Sequence, residues 1–326
     1  MEIQNRIFED LKKIVSGKFV EEISEVLCVS TDAAYRRIRN EKLLTIEETV
    51  RLCQHYQLSF DRYVGLENKV KTVPFLFPFP SLDFSFKAYL MSILQNMQKV
   101  KEMNGEVFFS AKDIPMFHCF QLPGLTKFKL FYWQKTMLGR SDLTGMTYSD
   151  YHPEKEMLDL CYQIYETYSN VRSTEIWNYE TVHGLISQIN YYHTIGYTST
   201  EDTAELYEEL KLLIKHLLIE TETESKSIIG KRDLTKKQNF RLFYNEVLAA
   251  DNSIYAEMGE QQVAFMPHII LNFIITSDKD YCDYIKEVFE LVMRKSSLVS
   301  GVNERDRSLF FNYIFDRIKS LEPKKV

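Results

Sequence analysis

Three of the chain's eight prolines, Pro74, Pro78 and Pro80, fall within residues 67–83 (ENKVKTVPFLFPFPSLD), and no helix interior or central strand runs through such a stretch. The segment predicts a boundary between a small N-terminal domain, residues 1–66, and a large one, residues 84–326. Phe75, Leu76, Phe77 and Phe79 make it too apolar for a free tether, so it is expected to lie as a strap on a protein surface. A length of 326 residues, above the usual size of one domain, agrees with two bodies.

Ahead of that boundary the apolar positions come in short helical runs. Ile7, Phe8, Leu11, Ile14 and Val15 recur at helical spacing until Ser16-Gly17 stops them. Phe19, Ile23, Val26 and Leu27 make a second helix, Cys28-Val29-Ser30 a tight break, and residues 31–39 a third helix closed by Asn40, which tolerates the left-handed conformation. Thr45-Ile46-Glu47-Glu48 reads as a capping box opening a fourth helix, with Ile46, Thr49, Val50 and Cys53 on one face. A fifth short element is expected from Ser59 to about Gly65.

In the large domain, 20 Tyr and 22 Phe against 11 Gly favour long regular elements packed through large rings. Helices are predicted over residues 84–103, 122–138, 153–170, 174–193, 199–222, 280–294 and 303–321, with a brief extended piece at 107–110. Leu206, Leu210, Leu213 and Leu217 form one seam, read as an intramolecular core face rather than a dimer zipper. After Asn239 the period shifts towards two, and residues 240–248, 254–258 and 263–266 read as a small antiparallel meander; residues 269–276 fit a fourth strand or a buried helix. The fold class expected is mainly α: a five-helix head on a larger helical α+β domain with a small antiparallel sheet.

A net charge of −6 excludes a globally basic nucleic-acid coat, so any DNA site must be local. Five widely spaced cysteines without a C-x-x-C pair fit neither a disulfide scaffold nor a zinc module, and point to a reducing cytoplasm. No secretory signal is read in MEIQNRIFED, and the apolar run 264–275, broken by Pro267, His268 and Asn272, is too short and polar to span a bilayer.

Residues 19–40, FVEEISEVLCVSTDAAYRRIRN, have the layout of a helix-turn-helix. With its flanking helices, the stretch 7–64 resembles the DNA-binding domain of the phage-repressor, or xenobiotic-response-element, family of transcription regulators. The family's Gly-Val-Ser turn is here Cys28-Val29-Ser30, its small residue on the first helix falls at Ser24, and its apolar pair on the second at Ala34 and Ile38. Two departures stand out: Cys28 brings a Cβ into the turn, and Ile38 lies four rather than three residues after Ala34. The resemblance covers about a fifth of the chain and implies a lambda-repressor-like head; for residues 84–326 no family resemblance is read.

At about 100° per residue, with Ala34 and Ile38 inward, Asp32, Arg36 and Arg39 point outward and Thr31, Tyr35 and Arg37 lie on the flanks. Arg36 and Arg39 can reach guanine O6 and N7, Asp32 a cytosine amine or Arg36 itself, and Tyr35 a thymine methyl or a phosphate. Ser30 and Thr31 offer hydroxyls and backbone N–H groups to phosphate, and Lys18, Arg37, Asn40 and Lys42 complete the expected backbone contacts. The resemblance implies double-stranded DNA as partner, a palindromic operator and a homodimer, with repressor favoured over activator and the large domain free to sense a small-molecule or protein effector.

No signature of an enzyme stands against this. Glycine-rich phosphate loops, G-x-S-x-G and H-E-x-x-H are absent, and His118-Cys119 and His183/His193 lack ligand spacing, so no catalytic residue, metal or cofactor is expected. The aromatic run Phe128-Lys129-Leu130-Phe131-Tyr132-Trp133 reads as core more readily than as a pocket lining. Two other readings remain: a protein-interaction module whose head grips a protein, and an enzyme whose chemistry is spread over distant loops.

Overall fold

The computed structural model describes residues 2–15, 17–56, 58, 60, 63, 73–76, 85–231, 237–247, 251–268 and 271–323. The chain divides into two compact units, Met1–Phe75 and Leu76–Val326.

The first unit carries α1 (Glu2–Ile14), α2 (Phe19–Leu27), α3 (Thr31–Ile38) and α4 (Ile46–His55). The predicted fifth element falls largely outside the described residues. Ile7, Phe8 and Leu11 of α1, Ile23 and Leu27 of α2, Ala34 of α3 and Leu52 of α4 close one apolar core with Tyr63. α4 departs from the expected face. Leu52 is its buried residue, while Ile46 and Val50 are exposed, because the Glu48 side chain must turn inward to reach α3.

The second unit is built on a seven-stranded mixed sheet in the order β6-β5-β4-β1-β2-β3-β7, which makes the fold α/β. The expectation of a mainly α chain with a small antiparallel sheet is therefore corrected. β1 (Glu106–Ala111), β2 (Arg172–Trp177) and β3 (Phe240–Tyr244) run parallel at its centre. β4 (Ile254–Met258), β5 (Gln261–Pro267) and β6 (Phe273–Thr276) add an antiparallel flank beyond β1, and β7 (Ser297–Leu298) pairs antiparallel with β3. The sequence pattern sets β3 at the head of a meander with β4; in the structure β1 and β2 stand between them.

The largest departure lies at β2. RSTEIW overlaps the helix predicted over 174–193, whereas the helix there, α9 (His183–Thr194), starts only after a short 3-10 turn. Ser, Thr and Glu disguise this central strand, since Glu is depleted in strands and their burial depends on partners far away in sequence.

Parallel neighbours require long crossovers. The β1–β2 connection holds α6 (Met116–Cys119), α7 (Pro123–Tyr132), a π turn (Trp133–Met137) and α8 (Lys155–Tyr168); the β2–β3 connection holds α9 and α10 (Thr200–Thr223). With α5 (Phe86–Glu102) and α12 (Glu304–Leu321), these helices pack on the sheet face that carries Val107, Phe109, Ala111, Trp177 and Leu242. The Leu206–Leu217 seam and the rings of Phe128, Phe131 and Trp133 all sit inside this core. The opposite face, with Phe108, Ile176, Tyr255 and Ala264, meets α11 (Lys279–Arg294) through Cys282 and Phe289. At the β6 edge Leu76, from the proline-rich segment, forms a two-hydrogen-bond antiparallel bridge with Ile275, at 2.7 and 2.9 Å.

Candidate nucleic-acid interface

α2 and α3 are joined by three residues whose conformations follow from their chemistry. Cys28 closes α2 at φ 55°, ψ 45°, the left-handed position that glycine fills most cheaply. Val29 is half-buried and holds the turn against the core. Ser30 is the N-cap of α3: its Oγ accepts from the Ala33 N–H at 3.3 Å, which leaves the hydroxyl hydrogen to donate outward.

The inner face of α3 is held by more than Ala34. Arg37 is 4% exposed; its Nε and Nη2 grip the two carboxylate oxygens of Glu48 at 2.9 and 2.5 Å, and Nη1 donates to the Ala33 carbonyl at 2.9 Å. The hydrogen bond from Arg37 holds the Glu48 carboxyl below its ordinary value, against the opposing pull of burial. Glu48 also accepts from the Thr45 N–H at 3.0 Å while Thr45 Oγ1 accepts from the Glu48 N–H at 3.2 Å, so the predicted capping box is present and doubles as the anchor of α3. Arg37 thus leaves the phosphate-contacting set: its guanidinium is spent inside the unit.

Gln4 of α1 fixes the other end. Its Nε2 donates to the carbonyls of Arg37 (2.7 Å) and Lys42 (3.0 Å), and its Oε1 accepts from the Leu44 N–H at 2.9 Å. This one buried amide clamps the loop from α3 to α4. Asn40 adopts φ 60° and donates through its side chain to Asn5 Oδ1, so its amide is partly engaged by α1.

The outward residues fall as the helical arithmetic places them, with Tyr35 added. Ser30, Thr31, Asp32, Tyr35, Arg36 and Arg39 are exposed or half-exposed, as are Lys18 and Lys42. Arg39 lies 4.4 Å over the Tyr35 ring and donates to the Tyr35 hydroxyl at 3.2 Å, which turns two flexible side chains into one preset pair. Arg36 reaches Glu41 at 4.0 Å rather than Asp32, and Lys18 pairs with Glu21 at 3.1 Å. With Arg37 neutralised by Glu48, the local cations are Arg36, Arg39 and Lys42 beside Asp32 and Glu41, a smaller positive spot than the sequence suggests.

The second unit holds charge of another kind, sealed under its sheet. Ser173, Glu175 and Trp177 alternate on one face of β2 and point into the helical layer. Glu175, fully buried, meets His118 Nε2 at 2.8 Å and accepts from the Trp177 indole at 2.7 Å and from the Tyr168 hydroxyl. Burial works to raise its pKa, but the charge and hydrogen bond of His118 win and the carboxyl is lowered overall. Lys226, also buried, donates to Ser173 Oγ at 2.7 Å and sits 3.7 Å over the Tyr168 ring; burial pushes its ammonium down to about 7. These groups lock β2 to the helices, and they satisfy one another except at His118 Nδ1, which is buried without a hydrogen-bond partner among the described residues.

Neither Gln4 nor the second role of Glu48 is evident from sequence; the capping-box spacing of Glu48 is the one signal. Glu175 and Lys226 are equally hidden, since nothing local marks them as buried. His118 is a hydrogen-bonded core histidine, while His183 and His193 bond to Ser187 and Thr203, each at 3.2 Å. Among the described residues no helix is long and apolar enough to cross a membrane. The chain matches no protein-family model, and no curated protein is significantly similar to it.

Proposed function

We propose that this chain is a sequence-specific DNA-binding transcription regulator that inserts α3 into the major groove of an operator. The observation that carries the reading is the division of α3 into two faces. Ala34, Arg37 and Ile38 are held by the rest of the unit, while Tyr35, Arg36 and Arg39 stand in solvent beside an exposed, capped N-terminus. Direct readout needs this arrangement: a rigidly anchored helix whose long donor-bearing side chains are free to meet base edges.

In this reading Arg36 and Arg39 contact guanine edges, Tyr35 steadies Arg39, Asp32 selects a cytosine amine, and Ser30 and Thr31 position the helix on phosphate. Lys18, Lys42 and the free part of Asn40 contribute backbone contacts. The second unit joins two heads as a homodimer and leaves room for an effector; repression by promoter occlusion follows by family analogy. All five cysteines are free thiols, which suits the reducing cytoplasm where such a regulator acts.

Genome-wide selection of fragments by purified full-length protein tests this. A palindromic site enriched by the natural chain and lost on combining Arg36→Ala with Arg39→Ala is the expected result. Enrichment no better than nonspecific background refutes it and favours a protein-binding head.

A further inference from the structure

β6 is an outer strand of the seven-stranded sheet, and one residue of the proline-rich segment pairs with its outer edge. Leu76 and Ile275, both in the second unit, exchange two backbone hydrogen bonds: the Leu76 N–H donates to the Ile275 carbonyl at 2.7 Å and the Ile275 N–H to the Leu76 carbonyl at 2.9 Å. Burial of the Leu76 side chain adds little to this contact, since it is 67% exposed.

The residues on both sides stop the pairing from spreading. In an antiparallel ladder the next hydrogen-bonded pairs fall two residues away, here 74 with 277 and 78 with 273. Positions 74 and 78 are both proline, and neither has an N–H to give to the strand, so each of those pairs lacks at least one of its two bonds. On the β6 side, the Phe273 N–H that would meet position 78 already donates to Asn272 Oδ1 at 3.0 Å. A permanent eighth strand needs those donors. Without them the contact is held to a single pair, which opens far more readily than a full ladder.

We propose that the Leu76–Ile275 pair is a releasable latch that sets how much chain links the first unit to the sheet. With Leu76 docked, the twelve residues 64–75 separate Tyr63, in the core of the first unit, from the sheet. With Leu76 released, the next described residue of the second unit is Ser85, the N-cap of α5, and the connection can grow to the 21 residues 64–84. Fully extended, the two stretches reach about 40 and about 70 Å. Half-sites on DNA are spaced in steps of about 34 Å, so release changes which operator spacings two heads can span. That use rests on the DNA-binding reading; the latch itself does not.

Amide hydrogen exchange of the full-length protein without DNA reads the latch at Ile275. Its N–H is expected to be protected about 5- to 150-fold over an unstructured amide, the range that two net hydrogen bonds supply, and at least tenfold less than the amides of β1. Leu76→Pro deletes one donor and sets a ring against the Ile275 carbonyl, so Ile275 should exchange at least fivefold faster while β1 is unchanged. Replacing Pro74 and Pro78 together by Ala returns the missing donors and should slow Ile275 exchange at least fivefold. An Ile275 amide as protected as β1 in the natural chain, or indifferent to either variant, overturns the latch. Operators of graded half-site spacing then test its use. Leu76→Pro is expected to accept wider spacings than the natural chain, and an unchanged preference overturns the role in reach. A natural chain that binds no operator refutes only the functional reading, and the exchange result stands apart from it.

Discussion

Arg37 and Glu48 meet side-on, the guanidinium Nε and Nη2 each donating to a separate carboxylate oxygen, with both side chains largely shielded from water. The arginine lies in α3 and the glutamate caps α4, so this pair sets the angle at which α3 is presented. Removing one member leaves a buried charge unpaired, at a cost of about 3 kcal/mol. Arg37→Met should therefore lower the unfolding free energy of the first unit by about that amount, read from urea titration of its amide exchange. In the proposed reading, operator affinity measured where the unit stays folded should fall for all sequences alike, because α3 loses its anchor while the outward Arg36 and Arg39 are unchanged.

The same pair makes the unit acid-sensitive. Glu48 titrates lower in the folded chain than its ordinary 4.5. The unfolded chain therefore binds the extra proton first as pH falls, and stability is lost below that value. A Glu48→Gln protein should start less stable at neutral pH and show a flatter loss between about pH 5 and 3. Parallel thermal melts across that range check the slope.

Lys226 acts in the same direction but in a higher pH window. Its ammonium is pushed down to about 7 from an ordinary 10.5 by burial. Between those values the unfolded chain holds a proton that the folded chain has shed, so stability climbs as pH rises, by at most about 1.4 kcal/mol per pH unit. Lys226→Met should abolish this climb between about pH 7 and 9, relative to the natural chain. Equal slopes in the two proteins would place the Lys226 titration elsewhere.

Arg36 and Lys42 should separate in a binding titration. Arg36→Ala should weaken the best operator by about 1–3 kcal/mol and flatten base preference at one position in each half-site. Lys42→Ala should weaken all sequences alike and reduce the salt slope by about one unit, the effect of leaving one phosphate without its cation. Identical behaviour of the two variants would argue against base readout by Arg36.

Two backbone positions give tests of the fold itself. Cys28 has positive φ without being glycine, so Cys28→Gly should stabilise the first unit by about 1 kcal/mol in thermal unfolding. Gly105 works in reverse. A Cβ there would collide with the Glu257 carbonyl oxygen, where β1 meets β4, and Gly105→Ala should cost the second unit about 2 kcal/mol or more.

How far the chain can be read in advance depends on the range of the interactions involved. α2, its turn and α3 are legible because apolar spacing, a capping serine and a left-handed asparagine all act within a few residues. The same holds for α10, α11 and α12, found within a residue or so of their expected limits. Outward placement of Arg36 and Arg39 follows from helical arithmetic alone. That of Arg37 does not, because Glu48 lies eleven residues away and the turn between them has to be known first.

By itself, then, the sequence determined helices such as α2, α3, α10, α11 and α12 and the side chains that α3 turns outward. Tertiary structure decided the sheet. β2 is a strand because Glu175 finds His118, and Ser173 finds Lys226, across more than fifty residues in each case. β1 and β2 lie between β3 and β4 because parallel pairing joins segments distant in the chain. Local periodicity carries no record of such partners: burying a polar strand is unfavourable until the groups that satisfy it have arrived.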